Sequence, residues 1–94
     1  MSKSWTFLSH HAHVLLLMAR NNEETIDNLA QQAGITTRSV TSVIKDLEEA
    51  GYISRTKIGR HNRYDINREG LLRHPTSEHH TVGELIEALG ELTS

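Results

Sequence analysis

Short hydroxyl side chains, one arginine and one lysine are concentrated between Thr36 and Lys45. With the apolar residues of this stretch set aside, the remaining set is Thr36, Thr37, Arg38, Ser39, Thr41, Ser42 and Lys45. An arginine can bind guanine through two parallel hydrogen bonds, and short hydroxyls let a helix lie close to base edges. Hydroxyls at a helix start also accompany free backbone N–H groups, which favour a phosphate. These residue types fit contacts to duplex DNA, although a solvated helix face can have the same composition.

A second polar cluster follows in residues 55–63, where the cations are not balanced by any acid. It contains Arg55, Lys57, Arg60 and Arg63, with His61 and Asn62 between the last two arginines. A positive segment of this kind can neutralise the backbone phosphates of a nucleic acid. Taken alone, the cluster also fits a solvated hairpin.

Histidines are the remaining residues with evident chemistry. His10 and His13 have the i, i+3 spacing of one helix face, and His80 and Glu84 have i, i+4 spacing. Imidazole nitrogens and carboxylate oxygens are ligands for zinc and nickel, but the chain has no cysteine to supply a thiolate. Because these spacings are not diagnostic, we predict no bound metal and no cofactor. The four residues remain candidates for an alternative, histidine-based metal site.

Three predicted helices precede the basic cluster and would position it. A cap at Ser9 predicts a helix over residues 9–21, and Thr25 caps a second helix that Gly34 ends. Thr36 caps a third helix, which Gly51 ends. Its apolar residues recur at helical spacing and form one stripe, Val40, Val43, Ile44, Leu47 and Ala50. Burying that stripe would turn the hydroxyl and cation face outward.

Two short strands and a last helix complete the predicted fold. Residues 52–56 and 63–66 are expected to pair, with Lys57 to Asn62 as the loop and Gly59 in the turn. A terminal helix is expected over residues 81–92. The pattern predicts an α+β, mostly helical chain with a winged helix-turn-helix: a three-helix core, a two-stranded β-wing and a C-terminal helix. We expect one domain over residues 1–94, with the helix-turn-helix at 25–50 and the wing at 52–67.

The charge distribution favours a contact confined to one face. The net charge of the 94 residues is -2, so the whole chain does not attract a polyanion. Residues 21–35 and 77–94 contain acids and no lysine or arginine, whereas residues 55–63 contain cations and no acid. A positive patch on an acidic body is compatible with a protein that binds DNA through one surface.

Composition also limits the cellular setting. The longest apolar run, Val14 to Ala19, is too short to span a membrane and lacks the flanks of a secretory signal. No disulfide can form without cysteine. We therefore expect a cytoplasmic protein without membrane association. The hydrophobic fraction of 36% is low for a globular chain, which favours apolar surface shared with a partner.

Residues Thr25 to Asn67 resemble the winged helix-turn-helix core of the multiple-antibiotic-resistance regulator (MarR) and arsenical-resistance regulator (ArsR) superfamily. The resemblance is carried by Leu29-Ala30, Gly34-Ile35-Thr36, Val40, Val43, Ile44, Leu47-Glu48, Gly51-Tyr52-Ile53 and the wing from Arg55 to Tyr64. The chain ends, Trp5-Thr-Phe-Leu, Arg73-His-Pro and His80-Thr-Val-Gly-Glu-Leu, are similar to a small single-domain group of prokaryotic winged-helix regulators.

The resemblance implies a dimeric transcriptional regulator. The helix that starts at Thr36 would enter the major groove, and the Lys57–Asn62 loop would touch the neighbouring backbone or minor groove. Dimerisation would use the helices at residues 9–21 and 81–92. The candidate residues for it are Leu15, Val82, Leu85, Ile86, Leu89 and Leu92. The alternative for this terminal stripe is packing on the first helix of the same chain.

We therefore predict a sequence-specific regulator that binds double-stranded DNA as a homodimer and represses transcription, not an enzyme. Base contacts are assigned to Thr37, Arg38, Thr41 and Ser42. Backbone contacts are assigned to Thr36, Ser39, Lys45, Arg55, Lys57, Arg60, His61, Asn62 and Arg63. The alternatives are a winged-helix module that binds protein and a metal-responsive regulator that uses the histidines.

Overall fold

The computed structural model describes residues 5–89 as helices packed around one core, with a β-hairpin beside them. In chain order the elements are α1 (His10–Arg20), α2 (Ile26–Ala33), α3 (Thr37–Glu49), β1 (Ile53–Ile58), β2 (His61–Ile66) and α4 (Val82–Leu89). The predicted α+β winged-helix fold is confirmed. The predicted end of the last helix at residue 92, with Leu92, lies outside the described residues.

Hydroxyl caps begin the first three helices at the predicted positions. The side chains of Ser9, Thr25 and Thr36 each accept a hydrogen bond from the backbone N–H three residues later, at 3.2, 3.1 and 3.0 Å. Each cap satisfies an amide that has no partner within its own helix. The chain therefore encodes these helix starts locally.

A left-handed glycine forms the turn between α2 and α3. Gly34 has φ 74° and its N–H donates to the carbonyl of Ala30 at 2.9 Å. Side chains with a Cβ rarely adopt this conformation, so the glycine ends α2 and redirects the chain toward Thr36. This turn therefore sets the direction of α3 relative to α2.

The apolar stripe of α3 lies at the centre of the core, except for Ala50, which follows the helix as its C-cap and is exposed. Val40 and Ile44 are fully or almost fully buried, and the helix packs against both α1 and α2. The core consists of Val14, Leu15, Met18, Leu29, Ala30, Val40, Val43, Ile44, Leu47, Ile53, Tyr64, Val82 and Ile86. Burial of this stripe leaves the opposite face of α3 exposed.

The strands of the wing are longer than predicted, and the loop between them is shorter. Strands β1 and β2 pair antiparallel from Ile53↔Ile66 out to Ile58↔His61, which leaves only Gly59 and Arg60 in the turn. The predicted loop from Lys57 to Asn62 is therefore wrong, because both of these residues pair within the strands. Gly59 has φ 62°, and Arg60 is not among the residues of positive φ in the described part of the chain, as in a type II′ turn.

A backbone hydrogen bond attaches the wing to the helical body. The N–H of Tyr64 donates to the carbonyl of Asn22 at 2.8 Å, in the turn between α1 and α2. The Tyr64 side chain is buried beside that turn. The β2 strand is thus held against the α1–α2 turn as well as against β1.

Helix α4 packs on the body of its own chain. Val82 and Ile86 are buried, as is Leu15 of α1, so these three predicted dimerisation residues have almost no accessible surface for a partner. Their burial agrees with the alternative interpretation, in which the terminal helix packs on the first helix of the same chain. Leu85 and Leu89 remain partly exposed. None of the helices within residues 5–89 is long and apolar enough to cross a membrane.

We predict that Gly34→Ala lowers the free energy of unfolding by about 1–2 kcal/mol, the cost of a left-handed conformation for a residue with a Cβ. An added Cβ would meet no atom within 4 Å, so the loss should come from the backbone alone. Urea unfolding measures it, and Gln31→Ala, at an exposed position of α2, is the control. Equal stabilities of the two variants would contradict the assignment.

Candidate nucleic-acid interface

Helix α3 presents one polar stripe on its outer face. Arg38, Ser42 and Lys45 follow each other at the i, i+4 and i+7 positions, and all three are exposed. Thr37 and Thr41 are exposed beside them. The predicted base-contacting residues therefore share a single surface, opposite the buried stripe of the same helix.

Two of the predicted backbone contacts at the start of α3 bind each other. The hydroxyl of Thr36 accepts a hydrogen bond from the N–H of Ser39 and donates to its Oγ at 3.0 Å. One turn later, the hydroxyl of Thr41 donates to the carbonyl of Thr37 at 2.9 Å. Thr36 and Ser39 stabilise the first turn of the helix, and the exposed Arg38 lies on that turn.

The basic residues of the wing lie on both faces of the hairpin and in its turn. Paired residues of an antiparallel ladder lie on the same side of the sheet, so Arg55 and Lys57 share the face of the buried Tyr64. His61 and Arg63 lie on the opposite face. Arg60 occupies the turn between the strands. The positive cluster therefore surrounds the end of the hairpin.

Arg55 is held by helix α3. Its Nη2 lies 3.0 Å from Oε1 of Glu48, in the last turn of α3, and both side chains are about one-third exposed. This ion pair connects β1 to α3. The structure thus gives the predicted phosphate contact Arg55 a carboxylate partner within its own chain.

His61 is held in the same way on the other face of the wing. Its Nε2 lies 3.0 Å from Oε1 of Glu23, in the turn between α1 and α2. Together with the Tyr64 amide, this contact attaches β2 to that turn. Wing residues with carboxylate partners position the hairpin, whereas Lys57, Arg60 and Arg63 form no ion pair within residues 5–89.

A third contact between a side-chain nitrogen and a carboxylate joins α1 to α3. Nε2 of His11 lies 2.9 Å from Oδ2 of Asp46, and both side chains are largely exposed. The sequence does not predict supporting roles for His11, Glu23, Asp46 or Glu48. The two histidine–carboxylate pairs join residues that are 35 and 38 positions apart in the sequence, so no local pattern could reveal them.

The metal-site candidates do not form one cluster. Within residues 5–89, no group of three or more histidines, aspartates and glutamates lies close enough to hold a metal ion. His80 contacts Glu84, with 3.4 Å between Nδ1 and Oε1, while His10 and His13 line a groove beside α1. The Glu84 carboxylate also accepts the backbone N–H of Thr81 at 2.7 Å, which closes the first turn of α4.

A comparison of the sequence with protein-family models identifies one family. The sequence model of the MarR family matches residues 9–63, which extend from the cap of α1 into β2 and include all of α2 and α3. No curated protein matches the chain. The matched residues contain the polar stripe of α3 and the cations of the wing.

The cap of α4 predicts a pH dependence. The hydrogen bond from the Thr81 amide, with a further contribution from His80, lowers the pKa of Glu84 below its ordinary value. The stabilisation is therefore complete above the unfolded-state pKa and is lost as the pH falls through the lower folded-state pKa. In thermal melts between pH 6 and pH 3, Glu84→Gln should lose less stability than the wild type.

The control for that experiment is Glu87→Gln, an exposed position on the same helix. It should retain the wild-type pH dependence. If both variants lose stability equally on acidification, the capping carboxylate is not responsible.

Proposed function

Since the chain belongs to the MarR family of transcriptional regulators, we propose that it is a sequence-specific DNA-binding repressor that acts as a homodimer in the cytoplasm. The observation that carries the proposal is the outer face of α3. Its buried stripe fixes the helix in the core, and the opposite side exposes hydroxyls, an arginine and a lysine beside a basic hairpin. A repressor of this kind acts by occupying its site on double-stranded DNA.

The proposed base contacts come from four exposed residues of α3. Arg38 is the specificity anchor, because a guanidinium can bind both acceptors on the major-groove edge of guanine. Thr37, Thr41 and Ser42 lie around it and are short enough to let the helix approach the base edges. Lys45, one turn beyond Ser42, would contact a phosphate at the edge of the groove.

The proposed backbone contacts come mainly from the end of the wing. Lys57, Arg60 and Arg63 would bind phosphates, with Asn62 between them as a hydrogen-bonding residue. Arg55 and His61 would act chiefly by holding the hairpin through their carboxylate partners. Thr36 and Ser39 would support the start of α3, where backbone amides can also meet a phosphate.

A homodimer would place two copies of α3 on successive turns of one DNA face. The expected operator is therefore a near-palindrome whose half-site centres are about one helical turn, or a multiple of it, apart. Leu85 and Leu89 keep partly exposed apolar surface for the subunit contact. Leu92 is also proposed for it and lies outside the described residues.

We expect Arg38→Ala to weaken binding to the preferred duplex by about 1–3 kcal/mol and to relax the preference at one base position. The preferred sequence is obtained by selection from random duplexes, and the two proteins are then compared on it by titration. Selection that enriches no sequence would contradict the proposed function. A variant that loses affinity equally for every sequence would remove Arg38 from base contacts.

Salt dependence separates phosphate contacts from positioning residues in the wing. Arg60→Gln and Arg63→Gln should each reduce the slope of log affinity against log salt by about one unit, because each removes one phosphate contact. Arg55→Gln is the matched control, since this arginine already binds Glu48. Its slope should stay close to the wild-type value even if its affinity falls. Equal slopes for all three variants would contradict the division of roles.

A further inference from the structure

The contact between His61 and Glu23 determines which ring nitrogen of the histidine carries the hydrogen. Nε2 of His61 lies 3.0 Å from Oε1 of Glu23, and the two side chains are 44% and 45% exposed. An ionised carboxylate only accepts hydrogen bonds, so Nε2 must be the donor. Because a neutral imidazole has a single N–H, neutral His61 has its hydrogen on Nε2 and a lone pair on Nδ1.

The second ring nitrogen of His61 is not used by the body of the protein. Within residues 5–89, Nδ1 takes part in no hydrogen bond. In the neutral ring Nδ1 can only accept, and a phosphate oxygen also only accepts, so the two cannot bind each other. In the protonated ring both nitrogens donate. One proton therefore turns Nδ1 into a charged donor for phosphate while Nε2 stays on Glu23.

His61 lies among the wing residues that are proposed to contact the DNA backbone. It follows Arg60 of the turn and shares one face of the hairpin with Arg63. The charge of an ordinary histidine changes between about pH 5 and pH 8, whereas arginine stays charged throughout that range. His61 is the only histidine in residues 53–66. It is therefore the residue through which the positive charge of the wing can follow the pH near neutrality.

The charged groups around His61 come from the α1–α2 turn and from the hairpin itself. They are Glu23, Glu24, Arg60, Arg63 and Asp65. Of the three acids only Glu23 contacts the ring, whereas Glu24 bonds to two amide side chains of α2. Strand β1 places Thr56 and Ile58 on this face, and neither is charged. Glu23 thus favours protonation of the ring, and the two arginines oppose it.

Protonation also changes the net charge of the pair that His61 forms with Glu23. When the ring is neutral, the pair is negative because of the carboxylate, and a nearby phosphate is repelled. When the ring is protonated, the two charges cancel and Nδ1 gains its hydrogen. A bound phosphate adds a second anion beside the ring and so favours the protonated form. Protonation of His61 and phosphate binding therefore support each other.

We propose that His61 is a proton-dependent phosphate contact, which binds the backbone of duplex DNA through Nδ1 only when the ring is protonated and Nε2 is held by Glu23. This inference rests on the proposed function and adds a regulation to it, because affinity for DNA then rises as the pH falls. The amide of Tyr64 donates to the carbonyl of Asn22 at 2.8 Å and holds β2 in either protonation state. The proton therefore changes the charge and the donors of the wing, and leaves its position.

Titration of a selected duplex between pH 8 and pH 6, at constant ionic strength, tests the proposal. The association constant of the wild type should rise by roughly tenfold per chain on acidification, the gain from one hydrogen bond to a charged group. His61→Gln should lose this rise, because its amide can still donate to Glu23 but does not titrate. His79→Gln, which removes an exposed histidine outside the interface, should keep it. The same rise in all three proteins, or in none, would overturn the proposal.

A permanently charged variant gives the complementary result. His61→Arg should bind at pH 8 about as tightly as the wild type binds at pH 6, and its affinity should no longer follow the pH in this range. Circular dichroism establishes that each variant is folded, and His61→Arg carries the test if His61→Gln is not. An arginine variant that keeps the pH dependence of the wild type would show that other groups are responsible, and the proposal would be wrong.

The tautomer of His61 can be measured without DNA. Long-range proton–nitrogen NMR spectra of the free protein at pH 8 should show the hydrogen on Nε2 and a bare Nδ1. In the complex at pH 6 both nitrogens should carry hydrogen. Glu23→Gln should lower the protonated fraction of His61 at any given pH, because it removes the charge that favours the imidazolium. A hydrogen on Nδ1 in the free protein at pH 8 would contradict the proposal.

Salt dependence identifies the phosphate and separates this inference from the proposed function. In the wild type, the slope of log affinity against log salt should be steeper at pH 6 than at pH 8 by about 0.9 per chain, because one more phosphate is neutralised. In His61→Gln the two slopes should be equal. Selection that enriches no sequence would contradict sequence-specific function, while a pH-dependent slope on any bound duplex would still support the His61 contact. A wild type that binds its selected duplex with equal slopes at both pH values would overturn this inference alone.

Discussion

Burial of one stripe of α3 is the constraint on which the candidate interface depends. Val40 and Ile44 lie at the centre of the core, so rotation of α3 about its axis would expose apolar side chains and bury charged ones. Full burial of each such aliphatic side chain contributes about 1.5–3 kcal/mol. The same energy that stabilises the fold therefore fixes which residues face outward. Arg38 and Ser42 face outward because Val40 and Ile44, on the opposite side of the helix, are buried in the core.

The side-chain contacts of the wing with carboxylates add orientation more than stability. Exposed pairs such as Arg55–Glu48 and His61–Glu23 contribute about 0–1 kcal/mol each, which is small beside the core. They act on opposite faces of one hairpin, however, and one connects it to α3 while the other connects it to the α1–α2 turn. A hairpin restrained on both faces keeps its tip at a defined place relative to α3.

The sequence predicts the helices well because their signals are local. Ser9, Thr25 and Thr36 each bond an amide three residues away, and Gly34 has a conformation that few other residues adopt. The strand ends were missed because cations and a glycine between Lys57 and Asn62 have the composition of a loop, whereas cross-strand pairing extends the ladder to Ile58. The supporting carboxylates were missed because Glu23 and Asp46 meet residues far along the chain. Tertiary contacts also determine that α4 packs on the core of its own chain. From the sequence, this packing could be stated only as an alternative to dimerisation.

The acidic body strengthens the case for a locally encoded interface. With a net charge of -2, the chain gains little from non-specific attraction to a polyanion. In the proposed function, binding would come from the few cations that reach the phosphates and from hydrogen bonds to base edges. Asp46 and Glu48, the acids of α3 nearest the interface, are paired with His11 and Arg55. The guanidinium of Arg55 offsets the charge of Glu48 without removing the acidic character of the rest of the surface. A protein built in this way should discriminate between sequences more strongly than a uniformly basic one, because its affinity for arbitrary DNA is low.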